Sequence, residues 1–162
     1  MSKNFTDSFP KVIWSGDFKG APSNEAICME IPLVSGMTMA HSNVIIENEV
    51  IGYIMIHTCK PGNFRKLAAI KIQDGKDSEF TGRSMEPFIK IGDVICIDRS
   101  DRIVKRMAIC AVRRKNGSVI RKVERSGNIL VISSESGDVE NIDPDDPNPI
   151  IGKGIWTWRS LR

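Results

Sequence analysis

The sequence predicts a mainly β domain. Short apolar segments of strand length recur along the chain, and turn-forming residues separate them. Almost no segment shows the apolar periodicity of an amphipathic helix. At 162 residues, with 41% apolar and 27% charged residues, the chain has the length and composition of one folded domain.

Three strands are predicted in the first half of the chain. They are segments 27–34, 49–57 and 68–72. The small and partly apolar residues of 35–42, between the first two strands, predict a flexible connection. A turn is predicted over 60–63 and a single helical turn over 64–67.

Five further strands are predicted in the second half, joined by tight turns. They are segments 94–98, 107–113, 119–124, 129–133 and 150–158. Asn116-Gly117 lies between two of them and is the strongest hairpin signal in the sequence. Ser126-Gly127-Asn128 predicts a second tight turn, and the prolines of 143–149 keep that loop out of any β ladder.

Composition limits the domain organisation and the partners. We expect residues 1–30 to form an N-terminal arm or linker, and residues 31–162 to form the folded domain. A net charge of +3 is too small to indicate nucleic-acid binding. We interpret the many basic residues between 99 and 125 mainly as solvated strand edges and loops.

The cysteines predict neither a metal site nor a disulfide framework. They form no CxxC pair, and no histidine lies at zinc-finger spacing, so we expect no metal and no cofactor. Cys96 and Cys110 lie in apolar strands, where free thiols behave as small hydrophobic groups. Without a signal peptide or an apolar run of about 20 residues, we expect a cytoplasmic protein that does not contact a membrane.

The chemistry is predicted to lie in the stretch 82–98, which reads GRSMEPFIKIGDVICID. Ser84 is suited to cap a short helical turn ahead of a buried strand, with Pro87 in the first turn. Backbone N–H groups at such a turn lack helical partners. They favour a serine nucleophile at Ser84, with Met85 and Gly82 in the loop that stabilises the oxyanion. The alternative is a serine that only caps the turn.

The order Ser-Met-x-Pro, then Gly-Asp, then an alternating apolar strand resembles the nucleophile segment of the LexA-like peptidases. This family includes LexA, the phage CI-type repressors and the UmuD-type proteins of the SOS response. Pro32-Leu33-Val34 and Ile151-Gly152-Lys153-Gly154 also resemble family segments, so the resemblance covers roughly residue 31 to the C-terminus. It implies a β-clip type fold of several short twisted sheets. The family often has Asp where this chain has Arg83.

The resemblance implies a Ser/Lys dyad, in which a lysine of lowered pKa takes the serine proton. Aligned without a gap, the lysine position falls on Arg121, and an arginine stays protonated. Lys122 has the right chemistry, but in a regular strand it points to the opposite face unless a bulge turns it inward. Both residues therefore remain candidates beside Ser84, and the domain is either an active autopeptidase or a former one.

The bond that the serine cuts lies, in the family, in the domain's own N-terminal segment, usually at Ala-Gly or Cys-Gly. Neither dipeptide occurs between residues 31 and 50. Ser35-Gly36 is the closest bond between a small residue and glycine, and Met39-Ala40 lies nearer the expected distance from Pro32. These two bonds are the candidate cleavage sites.

Three functions remain open. The first is a self-cleaving regulatory domain of a transcription regulator, with Ser84 as nucleophile and Lys122 as base. The second is a non-cleaving relative that mediates dimerisation and partner binding, and the third is a UmuD-like accessory protein. The implied partners are a second copy of the chain and its own N-terminal segment. DNA would be bound only through a separate domain not present in this chain.

Overall fold

Nine strands and one short helix make up the described part of the chain. The computed structural model describes residues 27–58, 66–73, 82–142 and 149–160. The strands are β1 (Ile27–Val34), β2 (Val50–Thr58), β3 (Leu67–Lys71), β4 (Val94–Asp98), β5 (Ala108–Arg114), β6 (Gly117–Ser126), β7 (Ile129–Ser133), β8 (Val139–Ile142) and β9 (Ile150–Trp158). Helix α1 spans Gly36–His41, and 3₁₀ turns span Glu47–Glu49 and Gly82–Met85. The predicted mainly β class is confirmed, although β8 was not predicted.

The described strands join into a mixed sheet in the order β2-β1-β3-β4-β9-β5-β6-β7-β8. β1 and β3 run parallel, and the other neighbouring pairs are antiparallel. The last strand, β9, lies between β4 and β5, and the register shifts in both of its pairings. The C-terminal segment therefore joins the two halves of the sheet.

The predicted hairpin is formed by β5 and β6, with its turn one residue earlier than expected. Arg114 pairs with Gly117, so the two turn residues are Lys115 and Asn116. Gly117 has a φ of +136°, which side chains rarely adopt, and a Cβ there would lie 3.4 Å from the carbonyl carbon of Gly36. This close approach holds the start of α1 against the hairpin.

The segment 35–42, predicted to be flexible, forms helix α1. Ser35 caps it, since its Oγ accepts a hydrogen bond from the Thr38 N–H at 3.1 Å. Met39 and Ala40 are fully buried in the largest hydrophobic cluster. The prediction was wrong because a helix this short shows no periodicity, and burial of two apolar side chains stabilises it.

Three hydrophobic clusters form the core of the described residues. The largest lies under α1 and includes Met85, Ile89, Ile97 and Ile120. A second lies between β5 and the strands β6 to β9, and a third packs β1, β3 and β4 against the two tryptophans of β9.

Cys96 and Cys110 are buried free thiols, as predicted. Burial raises the pKa of Cys110 to about 11, so its thiol is protonated and unreactive at neutral pH.

Two basic residues of segment 99–125 are structural rather than solvated. Arg99 is only 4% exposed, and its guanidinium donates a hydrogen bond to the Ser42 carbonyl. Arg113 Nε donates to the Ala40 carbonyl at 2.6 Å. Both bind carbonyls at the C-terminal end of α1, where cations are favoured. The interpretation as solvated edges is wrong for these two residues, whereas Lys115 and Arg125 are exposed as expected.

The Gly-Asp pair of the motif anchors the loop that follows Ser84. Gly92 has a φ of +89°, and Asp93 is 1% exposed. The Asp93 carboxylate accepts hydrogen bonds from the Lys90 N–H at 2.8 Å and from Arg159 Nε and Nη2 at 2.8 and 2.6 Å. These bonds, chiefly the one from Arg159, lower the pKa of Asp93, although burial opposes the shift.

Replacing Asp93 by Asn is expected to lower the free energy of unfolding at pH 7 by about 2 kcal/mol, because charged hydrogen bonds to a buried carboxylate are lost. Since the pKa of Asp93 is lowered on folding, its contribution is full above the unfolded-state pKa of about 4 and is lost as pH falls through the lower folded-state pKa. Urea unfolding should therefore show wild type and variant converging at acid pH. Asp101→Asn, at a half-exposed ion pair with Lys153, is the control and should cost much less. A gap that stays constant down to about pH 2 would contradict the prediction.

Candidate functional site

Ser84 lies inside the 3₁₀ turn Gly82–Met85 rather than capping a turn that follows it. The residue is 7% exposed. Its carbonyl accepts hydrogen bonds from the Glu135 N–H at 2.8 Å and the Ser136 N–H at 3.2 Å. The N-cap prediction is therefore wrong, since contacts with the turn between β7 and β8 hold the serine instead.

Arg121 contacts the Ser84 hydroxyl directly. Its Nη1 donates a hydrogen bond to Ser84 Oγ at 2.8 Å and another to the Ile120 carbonyl at 2.8 Å. β6 pairs regularly with β5 here, so alternation along the strand places Arg121 and Lys122 on opposite faces. The position where the family resemblance implies a lysine thus holds an arginine, and its guanidinium forms a hydrogen bond with the serine.

Lys122 forms its side-chain contacts with residues other than the serine. Its Nζ forms an ion pair with Glu135 and lies 5.2 Å from the ring centroid of Phe88. The ladder between β5 and β6 has no register shift at this point, so the bulge that would turn Lys122 inward is absent from it. No hydrogen bond joins Lys122 to Ser84 within the described ranges.

In the pair of Arg121 and Ser84, the guanidinium acts as a hydrogen-bond donor to the hydroxyl and not as a base that takes its proton. Burial lowers the pKa of Arg121, and the charge of Arg114 acts in the same direction. The ordinary pKa of a guanidinium is so high that Arg121 remains protonated at neutral pH despite this lowering. It donates to Ser84 Oγ and cannot accept its proton. No side chain in the described residues accepts a hydrogen bond from the Ser84 hydroxyl.

A cleft of about 320 Å³ lies beside this pair. Its lining combines apolar side chains with a few polar groups. The lining residues are Ser35, Gly36, Met37, Ile70, Lys71, Ile72, Gln73, Ser84, Met85, Ile89, Asn116, Gly117, Ser118, Val119, Ile120 and Arg121. The described residues thus bring three elements together around the serine: β6, the end of β3 and the start of α1.

The two candidate cleavage sites lie in different places. Ser35 and Gly36 line the cleft that contains Ser84, whereas Met39 and Ala40 are buried in the core. The Ser35-Gly36 bond opens helix α1 and is not in an extended strand. Of the predicted loop residues, Met85 is buried and lines the cleft, and Gly82 begins the 3₁₀ turn.

Sequence reasoning missed two residues of this region. Ser118 lies beside the predicted hairpin turn and lines the cleft, and its proximity to Asn116-Gly117 was the available signal. Glu135 pairs with Lys122 and donates its backbone N–H to Ser84. No sequence spacing predicts this second contact, because the two segments meet only through tertiary packing.

No group of three or more His, Cys, Asp or Glu side chains that could hold a metal occurs in the described residues. In the same ranges, no helix is long and apolar enough to cross a membrane.

The described residues form a mainly β domain with a buried serine in a turn that lines a cleft. A sequence model of the family described as Peptidase S24-like matches residues 78–155, which include Ser84 and Arg121. This match confirms, over these residues, the predicted resemblance to the family of LexA, UmuD and the CI repressors. No curated protein matches the chain.

Proposed function

We propose that this chain is a LexA/CI-type regulatory domain that retains the peptidase fold but no longer cleaves itself. The observation that carries the proposal is the 2.8 Å hydrogen bond from Arg121 Nη1 to Ser84 Oγ. In the proposed ancestor a neutral lysine at this position took the proton from the nucleophile Ser84. The protonated guanidinium stabilises negative charge on the oxygen but cannot generate it, so attack on a peptide bond is not assisted.

The position of Lys122 supports the same proposal. A replacement base would need a free, neutral amine within hydrogen-bond reach of Ser84. Lys122 instead forms an ion pair with Glu135, so its amine is already bound to a carboxylate.

The conformation of the candidate substrate segment also supports loss of cleavage. A serine peptidase needs the scissile carbonyl exposed beside the nucleophile. Here Ser35 caps α1, Gly36 lies against Gly117, and Met39 is buried. Moving Ser35-Gly36 into an extended substrate conformation would break the cap and expose core residues.

We further propose that the domain, over residues 31–162, mediates homodimerisation and partner binding of a cytoplasmic transcription regulator. Residues 1–30 would connect it to a separate DNA-binding domain. This role does not depend on cleavage. Ser84→Ala is accordingly expected to leave dimerisation unchanged, as measured by light scattering after gel filtration. A wild-type chain that remains monomeric at micromolar concentration would contradict this part of the proposal.

Intact mass tests the loss of cleavage. Wild type should keep its full mass after prolonged incubation at pH 7 and at about pH 10, near the unperturbed pKa of lysine, and Ser84→Ala should behave identically. Fragments that form faster at the higher pH and disappear in Ser84→Ala would contradict the proposal. If Lys122→Ala also removed them, the active autopeptidase with Lys122 as base would be the correct function.

A further inference from the structure

Arg121 has hydrogen-bond donors that its described neighbours do not use. Nη1 donates to Ser84 Oγ and to the Ile120 carbonyl, whereas Nε and Nη2 form no hydrogen bond to a described residue. No carboxylate of the described residues pairs with this guanidinium within 4.0 Å. Since a partly buried cation without a counter-ion is unfavourable, the free side of the guanidinium is suited to an anionic ligand.

A second unpartnered group lies in the same cleft. Ser118 is 9% exposed, and its Oγ is buried without a hydrogen-bond partner. Buried hydroxyls nearly always find a partner, so an unpartnered hydroxyl on a residue that lines the cleft has a hydrogen bond to offer to a ligand. The exposed Lys71 adds a second cation to the lining, and Ile72, Ile89 and Val119 add apolar surface.

We propose that the cleft binds the C-terminal carboxylate of a peptide, with the last side chains of that peptide packed on the apolar lining. In a serine-peptidase-type site, the serine oxygen marks where a bound peptide presents a carbonyl. Where a guanidinium lies beside that oxygen, a carboxylate is the matching group, because it accepts parallel hydrogen bonds from the guanidinium and carries the opposite charge. A carbonyl in the middle of a chain offers neither the charge nor the second oxygen.

This inference rests on the proposed function, since it needs the charged guanidinium of Arg121 beside Ser84 in place of a neutral, proton-accepting lysine. The cleft volume of about 320 Å³ lies at the lower end of the range for small-ligand sites, which fits the last few residues of a peptide. Arg121 and Lys71 supply the positive charge that complements the carboxylate. The C-terminal residue of the peptide should therefore contribute most of the binding free energy.

Fluorescence anisotropy with matched peptides tests the proposal. The probe is an N-terminally labelled tetrapeptide Pro-Leu-Val-Ser, which repeats residues 32–35, prepared with either a free carboxylate or a C-terminal amide. With the whole chain, we expect the carboxylate form to bind about 10- to 100-fold more tightly, as for a charged hydrogen-bonded group. Arg121→Gln should remove this difference. Arg125→Gln, an exposed arginine on the same strand, should preserve it.

Ser118→Ala provides a second variant in case Arg121→Gln folds poorly. It should weaken the carboxylate peptide several-fold while leaving the thermal unfolding midpoint unchanged or higher, because it removes an unpartnered hydroxyl. Equal binding of both peptides, or no saturable binding, would overturn the proposal. If the amidated peptide Pro-Leu-Val-Asp bound equally tightly, the site would recognise acidic side chains. The proposed recognition of a C-terminal carboxylate would then be wrong.

The two proposals fail separately. If the chain stays intact and binds neither peptide, the proposed loss of cleavage is retained and the proposed carboxylate site is refuted. If the chain produces fragments that disappear in Ser84→Ala, the proposed loss of cleavage is refuted, whether or not the peptides bind.

Discussion

Replacing Arg121 by lysine is expected to increase the reactivity of Ser84. An amine at this position, partly buried and close to Ser84 Oγ, has a lowered pKa and can accept the serine proton. Since general-base assistance contributes about 100-fold or more, a fluorophosphonate probe should label Arg121→Lys at least that much faster than wild type. Mass spectrometry of the labelled peptide would locate the adduct on Ser84.

The pH dependence of this labelling has a definite sign. The rate should rise with pH and level off above the pKa of the new lysine, because only the neutral amine acts as a base. Arg125→Lys, the same exchange at an exposed position of β6, should stay as unreactive as wild type. The double variant Arg121→Lys with Ser84→Ala should not be labelled. If Arg121→Lys remained unlabelled between about pH 7 and pH 10, the proposal that the chain lacks only a base beside Ser84 would be wrong.

Replacing Gly152 by alanine is expected to destabilise the fold severely. A Cβ at this position would lie 2.3 Å from the Asp98 carbonyl oxygen and 2.8 Å from the Asp98 carbonyl carbon. Both atoms belong to the backbone, and Gly152 lies in β9, the strand that joins the two halves of the sheet. The strands would have to separate, so we expect the free energy of unfolding to fall by about 3 kcal/mol or more.

Gly52→Ala is the matched control for this prediction. Gly52 also lies in a strand, β2, but a Cβ there meets nothing within 4 Å. Its free energy of unfolding should change by no more than about 0.5 kcal/mol, as for an unobstructed surface position. Urea titrations of both variants measure the difference. Equal stability of Gly152→Ala and Gly52→Ala would show that β4 and β9 do not approach as closely as described.

Local sequence patterns predicted most of the strands and several details of the site. Strand alternation and turn residues are local properties, which is why β1, β4 and β7 were predicted to the residue. The same alternation indicated that Lys122 would point to the opposite face from Arg121 unless a bulge turned it inward, and the β5–β6 ladder has no register shift there. The motif around Ser84 predicted the family resemblance, because its residue types and their spacing can be read directly from the sequence.

Tertiary structure decided what depends on residues distant in sequence. Helix α1 forms because Met39 and Ala40 find a core and Gly36 packs on Gly117. Arg99 is buried because the Ser42 carbonyl lies within reach of its guanidinium.

The sequence by itself determined a mainly β domain that resembles the Peptidase S24-like family, with a serine at position 84 and no lysine in the aligned position. Only the tertiary structure decided that Arg121 bonds that serine, that Glu135 pairs with Lys122, and that a cleft lies beside them. The physical reason is that residue types and strand period are fixed locally, whereas charge pairing and cavity shape arise when distant segments pack.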